Sequence, residues 1–282
     1  MVLLQQGRLS EAEADIHAAG AIAADLGLTS AQAQSVANLA VLHGRARRLQ
    51  SSLQAFERAA ELFEAAGHPA RVMAYTEIDR AEVMMHSGLP VEAFAAAAAA
   101  VELIEPSGNQ VMLGDSLMMM AKAALAAGRT REAVGSARAA AESFSVTQRP
   151  DMRAQAVAVA VTARLRRVRP GDGDEQAIAD AHDVADVLRA GGWGTQADEL
   201  SLECVRAGRR IDRLGAVRND LTRLRQGLDG GRRDLELAGW YAEAVARAGD
   251  GDLPGGLDAC RRGLGVLDQI VDEAESLEQR SS

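Results

Sequence analysis

The groups in this 282-residue chain that could do chemistry are five histidines, two cysteines and a surplus of carboxylates. His86 follows Glu82 by four residues, one helical turn, which would let the pair share a proton; His43 stands two residues before Arg45. A perturbed titration also needs burial beside the partner, and both pairs read first as solvated helix ends. His17, His43, His68, His86 and His182 fall in different helical units, so no metal-ligand spacing forms. Cys204 and Cys260 read as small apolar core residues, with Arg206 and Arg261 near them in sequence alone. Gly171-Asp-Gly-Asp174 and Gly249-Asp-Gly-Asp252 read as turns. Neither follows a strand or continues into Lys-Ser/Thr, and two aspartates fall well short of a calcium shell. These residues predict no enzyme, no metal and no cofactor.

What must position them is helix. Alanine supplies 57 residues, aromatics are 3%, and β-branched residues are sparse, a mixture that favours close-packed helices over strands. Lys and Arg number 31 against 40 Asp and Glu, a net charge of −9, which argues against a nucleic-acid partner. Lys122 is the one lysine. Two cysteines make no disulfide framework, and a reducing cytoplasm is the expected compartment. The longest apolar run, Ala93 to Val101, is too short to cross a bilayer, and the amino terminus lacks the pattern of a signal peptide. No membrane association is expected.

A repeat organises the helices. Gly7-Arg-Leu-Ser-Glu-Ala12, Gly88-Leu-Pro-Val-Glu-Ala93 and Gly128-Arg-Thr-Arg-Glu-Ala133 each place an alanine five residues after a glycine. The glycine closes one helix, and the alanine lets the next cross it closely. A degenerate copy carrying Leu49, Ser52, Phe56 and Ala59 puts a further turn near Arg47, so turns at 7, 47, 88 and 128 recur about every 40 residues. Later turns are expected at Pro170-Gly-Asp-Gly173, Gly208 and Gly249-Asp-Gly251. Seven residues before the turns stand Ala40, Ala81, Ala121, Ser201 and Ala242, with Ala163 in the loosest unit. Between turns apolar residues step by three and four, as in Leu53, Phe56, Ala60 and Phe63. The alternating Val157-Ala-Val-Ala-Val161 lies in a stretch of helical length and is read as helix.

Small residues at one fixed point, large apolar ones near the turn and the glycine-then-alanine signal resemble the tetratricopeptide (TPR) repeat. The units here are longer and mostly lack that family's aromatic positions. The resemblance implies an all-α, right-handed superhelical solenoid of antiparallel hairpins, about six plus a partial first one. It would span residues 1–282 as one domain, with a sub-boundary near 168–174. In the carboxyl third, Ala190-Gly-Gly-Trp193, Arg206-Ala-Gly-Arg209, Gly239-Trp-Tyr-Ala-Glu-Ala244 and the run from Gly249 to Leu264 resemble the repeat region of actinobacterial CHAT-domain proteins. There a helical region precedes a caspase-like domain. The likeness implies a regulatory or recognition part of a larger protein and transfers no catalytic residue. Val2-Leu3-Leu4 reads as the last turn of a helix whose apolar flank a homodimer contact or an absent segment would cover. Asp268, Asp272, Glu273, Glu275 and Glu278 read as a solvating cap on the final helix.

In such a stack the first helix of each hairpin lines a concave face that holds extended or helical peptides. The repeat register projects Arg45, Tyr75, Ile78, Glu82, Met85, His86, Asp115, Met118, Lys122, Arg164 and Arg206 onto it as partner-binding candidates, with Gln34, Val41 and Asp198 beside them. The methionines at 73, 84, 85, 112 and 118–120 read mainly as core fillers, although thioethers also adapt to variable partners. The expected function is a non-catalytic scaffold for a protein or peptide. The alternatives are a self-assembly or structural module and the sensor region of a transcriptional regulator.

Overall fold

Among the described residues, seven breaks between helices share one three-residue geometry. In the first, Asp25 is followed by Leu26, then Gly27 at φ 66°, then Leu28; the Leu28 N–H donates to the Ala23 carbonyl at 2.8 Å and the Gly27 N–H to that of Ala24 at 3.0 Å. This paired closure satisfies carbonyls that the helix end leaves open. It recurs with Gly88, Gly128, Gly192 and Gly251 in the left-handed position. Arg47 (φ 57°) and Gln148 (φ 54°) take the same place without being glycine, which confirms the turn that register alone put near residue 47.

A computed structural model describes residues 8–67, 70–169, 174–211, 218–225 and 233–281. The helices are α1 (Leu9–Asp25), α2 (Thr29–Arg45), α3 (Leu49–Ala65), α4 (Ala70–His86), α5 (Pro90–Ile104), α6 (Gln110–Ala126), α7 (Thr130–Val146) and α8 (Pro150–Leu165). They continue with α9 (Asp174–Ala190), α10 (Gly194–Arg210), α11 (Arg218–Arg225), α12 (Arg233–Gly249) and α13 (Leu253–Ser281). A short 3-10 turn, Glu105–Ser107, follows α5, and there is no strand among the described residues. The all-α class of consecutively paired helices is as expected. The readings placed on Val2-Leu3-Leu4 and on Pro170-Gly-Asp-Gly173 lie outside the described residues.

The chain divides into two compact units, Met1–Ala156 and Val157–Ser282. In the first, α2/α3, α4/α5 and α6/α7 are hairpins, each also packed on the helix before it. The leading helices touch one another as well, α2 with α4 and α4 with α6. Their crossing points are alanine-sized: Ala40, Ala81 and Ala121 are fully buried, as are Ala93 and Ala133 on the following helices. Where the degenerate copy has Ser52 instead, its hydroxyl donates to the Ala40 carbonyl at 2.6 Å, so the extra oxygen carries no desolvation penalty. Phe56, Phe63, Phe144, Leu42 and Ile104 fill the wider spaces. Met84, Met112 and Met118 are buried, while Met73, Met85, Met119 and Met120 pack against core clusters, all as fillers.

In the second unit α9/α10 and α12/α13 pair, with α11 against α10 and α12, and α10 again touches α12. Ser201 is buried at its crossing point and accepts a hydrogen bond from Arg189 at 3.0 Å. Gly208 is a correction: α10 runs through it to Arg210, and this buried glycine is helix interior. Residues 157–161 are helical within α8.

Gln148 offers a test of the turn. A left-handed side chain costs about 1–2 kcal/mol, part of which glycine returns through its freer unfolded chain. Gln148→Gly should therefore raise stability in urea denaturation by about 0.5–1 kcal/mol; an unchanged or lower midpoint would refute this account.

Candidate functional site

The face where α2 meets α4 holds an open cavity of about 880 Å³. Asn38, Val41 and Arg45 line it from α2, spaced three and four residues apart and so on one face; Asp79, Glu82, Val83 and His86 line it from α4 in the same way. The turn after α2 adds Arg47. The floor is apolar, because Val83 and Val41 belong to the cluster around Ala40 and Phe56. Two guanidinium-bearing residues thus stand on the α2 side and two carboxylates on α4.

Gly44 sets the spacing. A methyl group there would stand 2.7 Å from Val83 Cγ1 and closer still to Cγ2, so α2 and α4 approach as they do only because residue 44 has no side chain. This explains a glycine inside a helix, where it costs about 1 kcal/mol relative to alanine.

Of the projected residues, Arg45, Glu82 and His86 meet in this cavity. His86 does not share a proton with the Glu82 carboxylate; its Nδ1–H donates to the Glu82 main-chain carbonyl at 2.8 Å, which fixes the ring against its own helix. Asp79 was not among the candidates, although it stands three residues before Glu82 on the same helical face. Loss of water around it, reinforced by the negative charge of Glu82 and partly offset by Arg45, pushes its carboxyl up to about 6. The residue nonetheless remains exposed at the cavity mouth, and that exposure limits how much of the shift appears as stability.

The other candidates disperse. Tyr75 is exposed on α4 and Lys122 on α6. Ile78 packs against Ala74, Ala100 and Ile104, and Met85 against Ala81 and Met84. Met118 is a correction: 3% exposed, it is core and cannot touch a partner. Asp115 accepts from Arg149 at 2.8 Å, and Arg164 donates to Asp180 at 2.9 Å, so both already hold helices together. Arg206 donates to the buried Glu203 at 2.7 Å and lines a second cavity, about 500 Å³, between α10 and α12. Arg209, Arg210, Leu202, Val205 and Tyr241 line it too. Burial lowers the Arg210 guanidinium; Glu203 opposes this, and the nearby Arg166 and Arg206 charges add to it.

Elsewhere, His43 approaches Glu13 at 4.0 Å rather than pairing with Arg45, and Glu13 accepts two hydrogen bonds from Arg48. Burial, then the Arg48 charge, lowers the His43 imidazole. Cys204 is buried, and desolvation with the Asp220 and Glu203 charges pushes its thiol up to about 12. Cys260, read as core, is exposed. Asp252, suspected of a loop chemistry, accepts from the Gly255 N–H at 3.0 Å and so caps the start of α13. Among the described residues no three His, Cys, Asp or Glu side chains gather as metal ligands, and no helix is long and apolar enough to cross a membrane.

No protein-family model matches the chain, and no curated protein matches it. The functional reading therefore rests on the two cavities and on the arrangement of the helices.

Two outcomes check the geometry of the larger cavity. Gly44→Ala should cost about 1–3 kcal/mol through overpacking despite alanine's better helix propensity, and Val83→Ala introduced with it should recover most of the loss; strictly additive effects in a double-mutant cycle would remove the close approach as its cause. For Asp79 the raised folded-state value means that the folded protein favours the protonated form, so the stability it lends below about pH 4 is lost as the pH rises through about 6. Asp79→Asn should accordingly raise the melting temperature at about pH 7.5 and leave it unchanged at about pH 3.5; an equal effect at both would contradict the shift.

Proposed function

We propose that the protein is a non-catalytic interaction module that binds a peptide in the groove between α2 and α4. The observation that carries this reading is the pairing of opposite charges across an open apolar floor: Arg45 and Arg47 on one wall, Asp79 and Glu82 on the other. A cavity of about 880 Å³ lies within the roughly 300–1,000 Å³ range of ligand sites. Its charges suit a segment that presents an acidic and a basic side chain around an apolar one. Leading helices that touch each other in succession, α2 with α4 and α4 with α6, support the TPR-like comparison, in which that face receives peptides. The His86 ring, bonded to main chain, is held as part of the wall rather than beside a carboxylate that could make it a catalyst.

In this reading the chain serves as the recognition or regulatory region of a larger protein, in line with the CHAT-like carboxyl third. It works in a reducing cytoplasm, where the exposed Cys260 stays a thiol.

Selection of a displayed random-peptide library on the full chain tests the proposal. Enriched peptides should carry both charge signs, and Arg45→Glu should weaken their binding at least about tenfold, or 1.4 kcal/mol, in fluorescence anisotropy. Peptides that bind the variant as well as the wild type, or a library from which none is enriched, would defeat it.

A further inference from the structure

The final helix has two apolar faces, and only one is used. Gly256, Ala259, Gly263 and Val266 are buried, and Gly263 closes against Trp240 and Leu237 of α12. A second row, Leu253, Leu257, Cys260, Leu264, Leu267 and Val271, steps alternately by four and three residues. Its five large members are between 41% and 63% exposed, and Cys260 is exposed as well. Single exposed apolar residues are ordinary, but a contiguous row is a contact surface. This spacing over almost three heptads, about 27 Å of helix, is that of the seam of a coiled coil. Asp268 and Asp272, read as part of a solvating cap, are exposed and flank this stripe.

We propose that α13 is the seam of a two-fold symmetric homodimer, in which the Cys260–Val271 part of the row packs antiparallel against the same part of a second copy, with Leu253 and Leu257 beyond the paired stretch. Charge placement chooses both the partner and the direction. The residues that follow the seam positions Cys260 and Leu267 are Arg261 and Asp268, and neither has an ionic partner among the described residues. With the two-fold axis between Leu264 and Leu267, Leu264 meets the partner's Leu267 and Cys260 meets the partner's Val271. Arg261 then lies beside the partner's Asp268, and symmetry makes the same pair twice. A parallel pairing would instead set Arg261 and Asp268 beside glycines 256 and 263 and stack Cys260 on its own copy. The self-complementary pattern is what an isologous interface requires. It does not depend on the groove between α2 and α4.

Sedimentation equilibrium of the full chain at about 1–100 µM should give twice the 29.7 kDa chain mass. Leu264→Glu, which puts one carboxylate in each of the two central layers, should weaken association at least about 100-fold while leaving helix content unchanged, since Leu264 is exposed, and should lower the melting temperature only at concentrations where the wild type is dimeric. Arg261→Asp should weaken it about tenfold, and adding Asp268→Arg should restore it. Under mild oxidation Val271→Cys should cross-link chains through Cys260, whereas the wild type should not. A wild type monomeric throughout that range, a dimeric Leu264→Glu variant, no rescue by the double charge exchange, or wild-type chains linked through Cys260 would each overturn the proposal.

Discussion

The approach of two helix backbones across a single alanine-sized contact is the constraint on which the other features depend. Ala40, Ala81 and Ala121 sit fully buried where each leading helix crosses its neighbours, and Ala93 and Ala133 answer them from the second helix of the hairpin. Close packing tolerates no added volume at such points without displacement of a backbone. With the crossings this tight, the chain fills its wider spaces with a handful of large side chains such as Phe56, Phe63 and Phe144. Gly44 against Val83 and Gly114 against Phe144 carry the same economy further, to a point where even a methyl group does not fit.

The turns translate this constraint along the chain. At the seven turns of this kind one residue ends a helix, the next is left-handed, and the third is already the cap of the following helix, so the phase of the second helix is set by the first. The caps at Leu28, Arg48, Leu89, Arg129 and Trp193 make no side-chain hydrogen bond to the backbone of the helix they open. The starts of these helices therefore rely on packing, and each hairpin depends on its neighbours more than on its own local signals. Asn109 and Asp252 are exceptions, with side chains that accept from Met112 and Gly255.

The turn signal was legible because two steric demands with few chemical solutions stand five residues apart. Ser52 could stand in for alanine, and Arg47 for glycine, and the period still located that turn. Gly208 misled because a glycine can also serve a helix interior. On α6, Lys122 reaches solvent while Met118, one turn earlier, is core; a projected face includes its own edge, and a single turn of phase separates contact from burial. Asp79 was missed although its spacing from Glu82 was visible, since nothing short of the cavity wall distinguishes it from other surface carboxylates. On α13 the growing number of acids masks the apolar row between them, which only a count of sevens brings out. The pairing of Asp115 with Arg149 joins residues 34 apart, and no local pattern announces it.

Lys122 carries a consequence of another kind. Arginine supplies every other basic side chain, and guanidinium groups are poor nucleophiles that stay protonated. The exposed amine on α6 is therefore the chain's sole side-chain amine open to N-acylation. Modification there would cancel one positive charge on a leading helix and leave all thirty arginines untouched, which makes a single carbon stem the covalent address of a molecule otherwise closed to amine chemistry along its side chains.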